Sequence, residues 1–373
     1  MNPDSREFSS MEGLENPASV RERLTANLLG EGMFALGFLS RNSFLEELEG
    51  ASLSAEAKRK YDIGKVRSVV VAALRYGEGD YPMPPWAGLQ ERRTWHYPEP
   101  MLRIARFARA NWYAELSGRL LSAVRTTIAG AAGEGTTLPA ARQWHRLVNS
   151  GLPEKSLARK AGLGWIGKNG IMIAAGGGRR GDNVPAHSSA VVLGLLLCPV
   201  DLGPEAHAPV GDLCGECGRC VEACPTRALL GSAQDGSAPG AQAPGGGASA
   251  AEHGYDRLRC IQHWTAIDGD LPPSVLAAWD GRLYGCDSCL EACPFFRTDP
   301  EAETGLGCLG PALPAGYFMG NGDDRIRRDL NGSALGRAWM SLGGFRRSAR
   351  LAFDAGRNSA AGENRGTGAE REG

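Results

Sequence analysis

The sequence predicts an α/β (α+β) domain spanning residues 1–205, followed by a smaller domain built around cysteine. Up to about residue 205, β-branched apolar segments alternate with helix-like ones, the signature of layered strands and helices. From Leu213 to Phe296 cysteine and proline replace that pattern, so something other than apolar burial holds this part together. Eight of the ten cysteines lie in that second region. The chain has 373 residues, 42% of them hydrophobic and 22% charged, enough for about two or three domains. With 41 basic against 42 acidic residues the net charge is -1, which argues neither for nor against nucleic acid or membrane. No run approaches about 18 uninterrupted apolar residues, and Asp4 and Glu7 stand where a signal peptide needs an apolar core. The expectation is a cytoplasmic protein with no membrane partner.

Along the chain, Asn16-Pro17 opens a helix through Leu29, and the apolar stretch Met33 to Leu39 leads into a polar, helix-prone run to Lys60. Lys65 to Leu74 is a β-branched burst of the buried-strand type. Three prolines make Tyr81 to Trp95 a loop. A long helix is expected from about Met101, because Leu116, Leu120, Val124 and Ile128 recur every four residues. Glycine-rich turns bracket two further strands, Gly170 to Ala175 and Ala190 to Leu197. The cysteine domain, 206–300, carries an insertion at 231–251 with almost no large apolar residue, too polar to offset its ordering entropy. A short helical C-terminal segment, 301–354, with a helix around Ala334 to Phe353, precedes a polar tail, 355–373, expected to be disordered.

The cysteines carry the chemistry. Cys214, Cys217, Cys220 and Cys224 form C-x2-C-x2-C-x3-C followed at once by Pro225, the bacterial-ferredoxin run for a [4Fe–4S] cluster. Cys286, Cys289 and Cys293, with Pro294, repeat it without the leading cysteine, and Cys260 upstream is its replacement. Two cubes need eight thiolates, and these residues supply eight. With the crossing usual for two-cluster ferredoxins, one cube takes Cys214, Cys217, Cys220 and Cys293, and the other takes Cys286, Cys289, Cys260 and Cys224. Structural zinc prefers four ligands in two pairs, and a disulfide framework does not suit a chain without secretory features. Cys198 and Cys308 are left over as buried or incidental thiols.

Clusters of this kind move single electrons, and about 200 residues are more than a carrier needs. A second redox centre or a reducible substrate is implied, hence a reductase fed by an electron donor such as a ferredoxin or flavodoxin. No G-x-G-x-x-G follows a strand, so a Rossmann nicotinamide site is unsupported, and no Walker A run is present. The run AGLGWIGKN, Ala161 to Asn169, lies between a helix and a strand. Its glycines allow close backbone approach to a ligand, with Lys168 to pair an anionic group, or else they make a tight helix-to-strand turn.

Together, LPEKSLARKAGLGWIGKNGIMI from Leu152, HSSAVVLGLLLCPVDL from His187, CGECGRCVEACP, RCIQHW around Cys260 and YGCDSCLEACPF resemble the epoxyqueuosine reductase family in order. IARFARANWYAEL from Ile104 and GSALGRAWMSLGGFRRS from Gly332 extend the resemblance over roughly Val66 to Arg350. It implies an oxidoreductase with two [4Fe–4S] clusters and cobalamin, reducing epoxyqueuosine in tRNA to queuosine. Gly162, Gly164, Trp165, Gly167, Lys168 and Asn169 would seat the cobalamin, and Arg337, Arg346, Arg347 and Arg350 could meet tRNA phosphates.

The chain departs from the family at three places. Where the family carries its proton-donor aspartate, upstream of the GLGW motif, this sequence has Val148 or Asn149. An Asp-Tyr-His in a helix reads Trp112-Tyr113-Ala114, so Tyr113 alone survives, and a Gly-Glu in a strand reads Gly194-Leu195. Glu154, which matches a family glutamate, and His145 are the acids within reach in sequence. Glu154 and Tyr113 are therefore the candidate catalytic residues for this reduction or, given the lost aspartate, for reduction of another substrate. A non-catalytic electron-transfer role is the third reading. For the clusters themselves, Cys217→Ser should remove one of the two, seen as loss of about half the visible absorbance and iron of an anaerobic preparation.

Overall fold

The computed structural model describes residues 17–51, 59–78, 100–176, 187–205, 210–230, 254–302, 304, 306, 308–337 and 340–366. Among them run ten strands: β1 Ala35–Ser40, β2 Ser68–Arg75, β3 Met101–Ile104, β4 His145–Val148, β5 Gly164–Ile166, β6 Met172–Ala175, β7 His187–Ser188, β8 Val191–Cys198, β9 Arg282–Tyr284 and β10 Ala312–Pro314. The chain divides into two compact units, one comprising residues 17–75 and 113–215, the other 76–112 and 216–366, over the described residues.

In the first unit β2 lies inside a four-stranded sheet of order β1-β2-β8-β4. The sequence SVVVAALR suits that place, since seven of its eight residues are buried, as a strand covered on both faces requires. Every pairing in this sheet is antiparallel, so the α/β alternation of the sequence resolves as α+β here, without the parallel crossovers of a doubly wound fold. The helix Trp112–Gly133 packs on β8, turning Leu116, Leu120 and Val124 into the core at 0–1% exposure. Gly194 permits that approach, because a β-carbon there would sit 2.9 Å from a Leu116 methyl. Ile128 is only half-buried; the buried row passes instead through Thr127, whose hydroxyl donates to the Ala123 carbonyl at 2.8 Å. The smaller sheet β5-β6-β7 forms an antiparallel hairpin and a third short strand.

In the second unit β3 pairs antiparallel with β10 and parallel with β9. One apolar core joins Leu102, Ile104, Leu283 and Tyr284 to Leu313, Phe318, Ile326 and Phe345. Three expectations change accordingly. Met101–Ile104 is a strand, and the long helix begins only at Trp112. An unbroken 1–205 domain is not what forms, because β3 hydrogen-bonds to strands from beyond residue 280 and carries 76–112 into the second unit. Residues after 301 share their core with the cysteine region instead of standing apart. The expected helix at Ala334 is a single 3-10 turn, Ala334–Gly336, and the helix proper, Leu342–Gly366, runs on through most of the stretch expected to be a disordered tail.

The loop Tyr81 to Trp95 and the insertion 231–251 lie outside the described residues, but the base of the insertion is defined. Leu229 and Tyr255 form an antiparallel bridge, flanked by Leu230 N–H to Gly254 carbonyl and Asp256 N–H to Ala228 carbonyl, both 2.9 Å. A segment whose ends are clamped together can be shortened with little effect on what it is clamped to. Deleting Gln234 to Gly247 should therefore leave iron content and the unfolding midpoint within experimental error of the parent.

Candidate metal centre

The cysteines are set on turns and short helices, whose backbone hydrogen bonds fix each thiol. Cys214 follows an aspartate turn in which its N–H donates to Asp212 Oδ1 at 2.7 Å, and Gly215 takes φ +48° immediately after it. Cys220 lies in the turn of helix Arg219–Glu222, and the Cys224 thiol accepts the Ala228 N–H at 3.2 Å. Cys260 caps the short helix Ile261–Thr265. β9 is followed by Gly285, whose N–H donates to Thr265 Oγ1 at 2.9 Å and whose φ is +84°. A side chain at Gly285 would drive its β-carbon within 2.4 Å of the Ala105 methyl, so glycine is required where the chain swings into Cys286. Cys289 then falls in the helix Ser288–Glu291, and the Cys293 N–H closes on the Leu290 carbonyl at 2.9 Å.

Cys289 marks the centre of the second unit's sulfur cluster. Burial is the main cause raising its pKa, followed by charge repulsion from Cys286, Cys260, Cys224 and Cys220. Cys224, Cys260 and Cys286, assigned with Cys289 to one cube, thus lie near it, and so does Cys220, assigned to the other. Cys260 is also pushed up by burial, against a hydrogen bond from Tyr255 and the N–H groups of Gln262 and His263. Thiols held protonated in this way have no charge to bring to the interior by themselves and give up their protons when they bind iron. Among the described residues no three His, Cys, Asp or Glu side chains meet closely enough to hold a single ion. A cube carries each thiolate on a separate iron and asks for no such convergence. The donor set therefore fits the group.

An ionic knot secures the second cysteine loop. The Arg106 N–H donates to Asp287 Oδ2 at 2.8 Å, its guanidinium pairs with Glu78 at 2.7 Å and with Glu291, and it lies 5.5 Å over the Phe296 ring. Sequence reading gave Arg106 no role, since an arginine in a four-residue helix has no spacing signal. Tyr255 was missed for the same reason, although it stands only five residues before Cys260.

The residues expected to seat cobalamin are otherwise engaged. Gly162, at φ +74°, ends the helix Glu154–Lys160, and Gly164 lies where a β-carbon would meet the Ile173 carbonyl at 1.9 Å. Asn169 accepts the Ile171 N–H at 3.1 Å within the hairpin turn. Trp165 and Lys168 both reach the Cys214 loop, Trp165 Nε1 donating to the sulfur at 3.4 Å and Lys168 Nζ to the Gly215 carbonyl at 2.6 Å, while Gly167 packs beside them. Of the two readings of this run, the tight turn describes its glycines, and these side chains do not form a corrin seat.

The other candidates lie elsewhere. Leu195, where the resemblance expects a glutamate, is wholly buried in the sheet core. Tyr113 is half-buried in the first turn of the helix Trp112–Gly133, and His145 half-buried in β4. Arg346, half-buried, is bonded to Asp323 and the Phe318 and Asn321 carbonyls, and Arg347, 7% exposed, is spent on the carbonyls of Trp264, Ile267 and Gly269. Cys198 and Cys308 are buried at 0% and 1%, as expected.

Glu154 does form a small site. Asn149, in the left-handed region at φ +53°, and Ser150 turn their N–H groups to its carboxyl, the Ser150 bond being 2.7 Å. Burial outweighs those bonds and pushes the carboxyl up to about 7. The folded state then holds a proton that the unfolded chain has released, so stability falls as pH rises from the ordinary carboxylate range to about 7. Glu154→Gln should flatten that part of the profile, read as urea midpoints between about pH 5 and about pH 8.

The model of a 4Fe-4S double cluster binding domain matches residues 213–295. The epoxyqueuosine reductase of Bacillus anthracis is 27% identical over 213 residues, covering 56% of this chain and 47% of that protein. That of Gloeobacter violaceus is 29% identical over 307 residues, 79% of each chain, and that of Synechococcus sp. 35% over 208 residues, 53% and 54%. The chain thus spans about half the length of several curated relatives it matches. In fold it resembles a selenomethionine-labelled epoxyqueuosine reductase, with TM-score 0.60 and 19% identity over 93% of this chain and 84% of that one. A crystal structure of epoxyqueuosine reductase with an epoxyqueuosine-modified tRNA-Tyr stem loop gives the same TM-score, identity and coverage. No helix among the described residues is long and apolar enough to cross a membrane.

Proposed function

From the chain's similarity to epoxyqueuosine reductases, we propose that it is a member of that family or a close paralogue of it, a cytoplasmic iron–sulfur reductase acting on epoxyqueuosine in tRNA to give queuosine. The match of residues 213–295 to a 4Fe-4S double cluster binding domain carries this reading. Cys214, Cys217, Cys220 and Cys293 hold one [4Fe–4S] cluster, and Cys224, Cys260, Cys286 and Cys289 the other. When bound, the clusters supply electrons one at a time from a carrier such as a ferredoxin or flavodoxin.

Removing an epoxide oxygen consumes two electrons and two protons and releases water. Protons must come from groups that still hold them near neutral pH. Glu154 meets that condition, with its carboxyl up at about 7, and it accepts the N–H groups of Asn149 and Ser150, beside the Val148-Asn149 pair where the resemblance expects an aspartate. Tyr113 is the second polar candidate. Cobalamin, the electron acceptor the resemblance implies, enters through the resemblance alone. The Gly162 to Asn169 residues do not fit its seat, and no step is assigned to it.

The second reading, reduction of a different substrate, is favoured by one observation: Val148 or Asn149 stands where the resemblance expects an aspartate and Leu195 where it expects a glutamate, and Leu195 is sealed in the core. Expression in a strain lacking its own epoxyqueuosine reductase separates the two. The first reading requires queuosine in that strain's tRNA by mass spectrometry. Epoxyqueuosine accumulating beside cluster-replete protein would transfer the case to the second.

A further inference from the structure

The run Ala161 to Asn169 is built round a sulfur. Trp165 is 2% exposed, is fixed in β5 opposite Ile173, and meets the His187 ring edge-on at 5.3 Å between centroids. So held, its indole N–H reaches the Cys214 sulfur at 3.4 Å. Gly167 leaves the approach open: a β-carbon there would stand 3.6 Å from the same sulfur and 2.9 Å from an Ile173 methyl. The Lys168 ammonium holds the next carbonyl, that of Gly215, at 2.6 Å. Three residues of a four-residue stretch are therefore directed at one cysteine and its neighbour.

We propose that Trp165 is a positioning residue that raises the reduction potential of the cluster bound by Cys214 relative to that of the second cluster. The inference rests on the two-cluster reading above. Reduction adds one electron to a cube, and part of the added negative charge falls on its thiolate sulfurs. A fixed N–H donor stabilises the more negative state more than the oxidised one, which moves the potential upward. The indole is buried, so its N–H is held in one place, while the Cys214 sulfur it reaches is half-buried. Lys168 keeps the Cys214 loop in register with the indole and adds a positive charge to the same side.

The test uses full-length holoprotein, reconstituted without oxygen, in a potentiometric titration followed by electron paramagnetic resonance. Trp165→Phe removes the donor and part of the ring. Protein carrying β-(3-benzothienyl)alanine at position 165 keeps the bicyclic shape and removes only the N–H. Both should retain the parent's iron and sulfide content. In both, one of the two midpoints should fall, with the reduced-to-oxidised ratio of that cluster at a fixed potential dropping by up to about tenfold, about 59 mV for a one-electron couple. The other midpoint should not move. Unchanged midpoints in the benzothienyl protein, or equal shifts of both clusters, would overturn the proposal while leaving the two-cluster reading intact. If Trp165→Phe fails to take up iron, the benzothienyl protein decides alone. A parent protein that shows no cluster signal at all would remove both.

Discussion

Thiols about seventy residues apart in sequence must share one small volume, and the rest of the second unit is arranged to let them. A buried thiol resists ionisation, and each further thiolate beside it makes ionisation harder, as at Cys289 with its four sulfur neighbours. Such a group of like charges is stable only with iron between them. The protein therefore spends its ordinary bonding on the loops around the sulfurs. Arg106 ties the Asp287 to Glu291 loop, Gly285 admits the chain past Ala105, and the Leu229–Tyr255 bridge returns it toward Cys260. Arg347, buried under the same core, closes three carbonyls at the end of the helix Ile261–Thr265.

The first unit has a different basis of stability. Its sheet is held by β-branched burial along β2 and by one long helix lying across β8, with glycine at 194 setting how near the two can come. Nothing in that sheet depends on metal. Beside it stands the hairpin after residue 163, where Trp165 donates to the Cys214 sulfur and Lys168 to the Gly215 carbonyl.

Much of this was legible in the sequence because spacing and burial leave local marks. The double-cluster domain follows from two cysteine runs, and β2 and β8 from their unbroken apolar character. Met101–Ile104 was misread because its four residues carry too short a pattern, and because its partners lie some 180 and 210 residues further on, where pairing is a tertiary fact. The arginines at 346 and 347 looked like a basic face for the same reason: periodicity cannot tell a cation facing water from one closing buried carbonyls. The glycines of Ala161 to Asn169 permit two opposite uses, and only their neighbours decide between them.

Cys198 and Cys308 have a consequence for how such a protein ages in air. Both are sealed within packed structure, at 0% and 1% exposure, and burial holds the Cys198 thiol far above the ordinary range for a cysteine. Sulfurs sealed from solvent take no part in exchange while the fold holds. Crosslinks formed on exposure to oxygen are therefore directed to the eight cysteines between Cys214 and Cys293. That even number of sulfurs can pair off among themselves, and the sheet of the first unit keeps its own cysteine out of the damage.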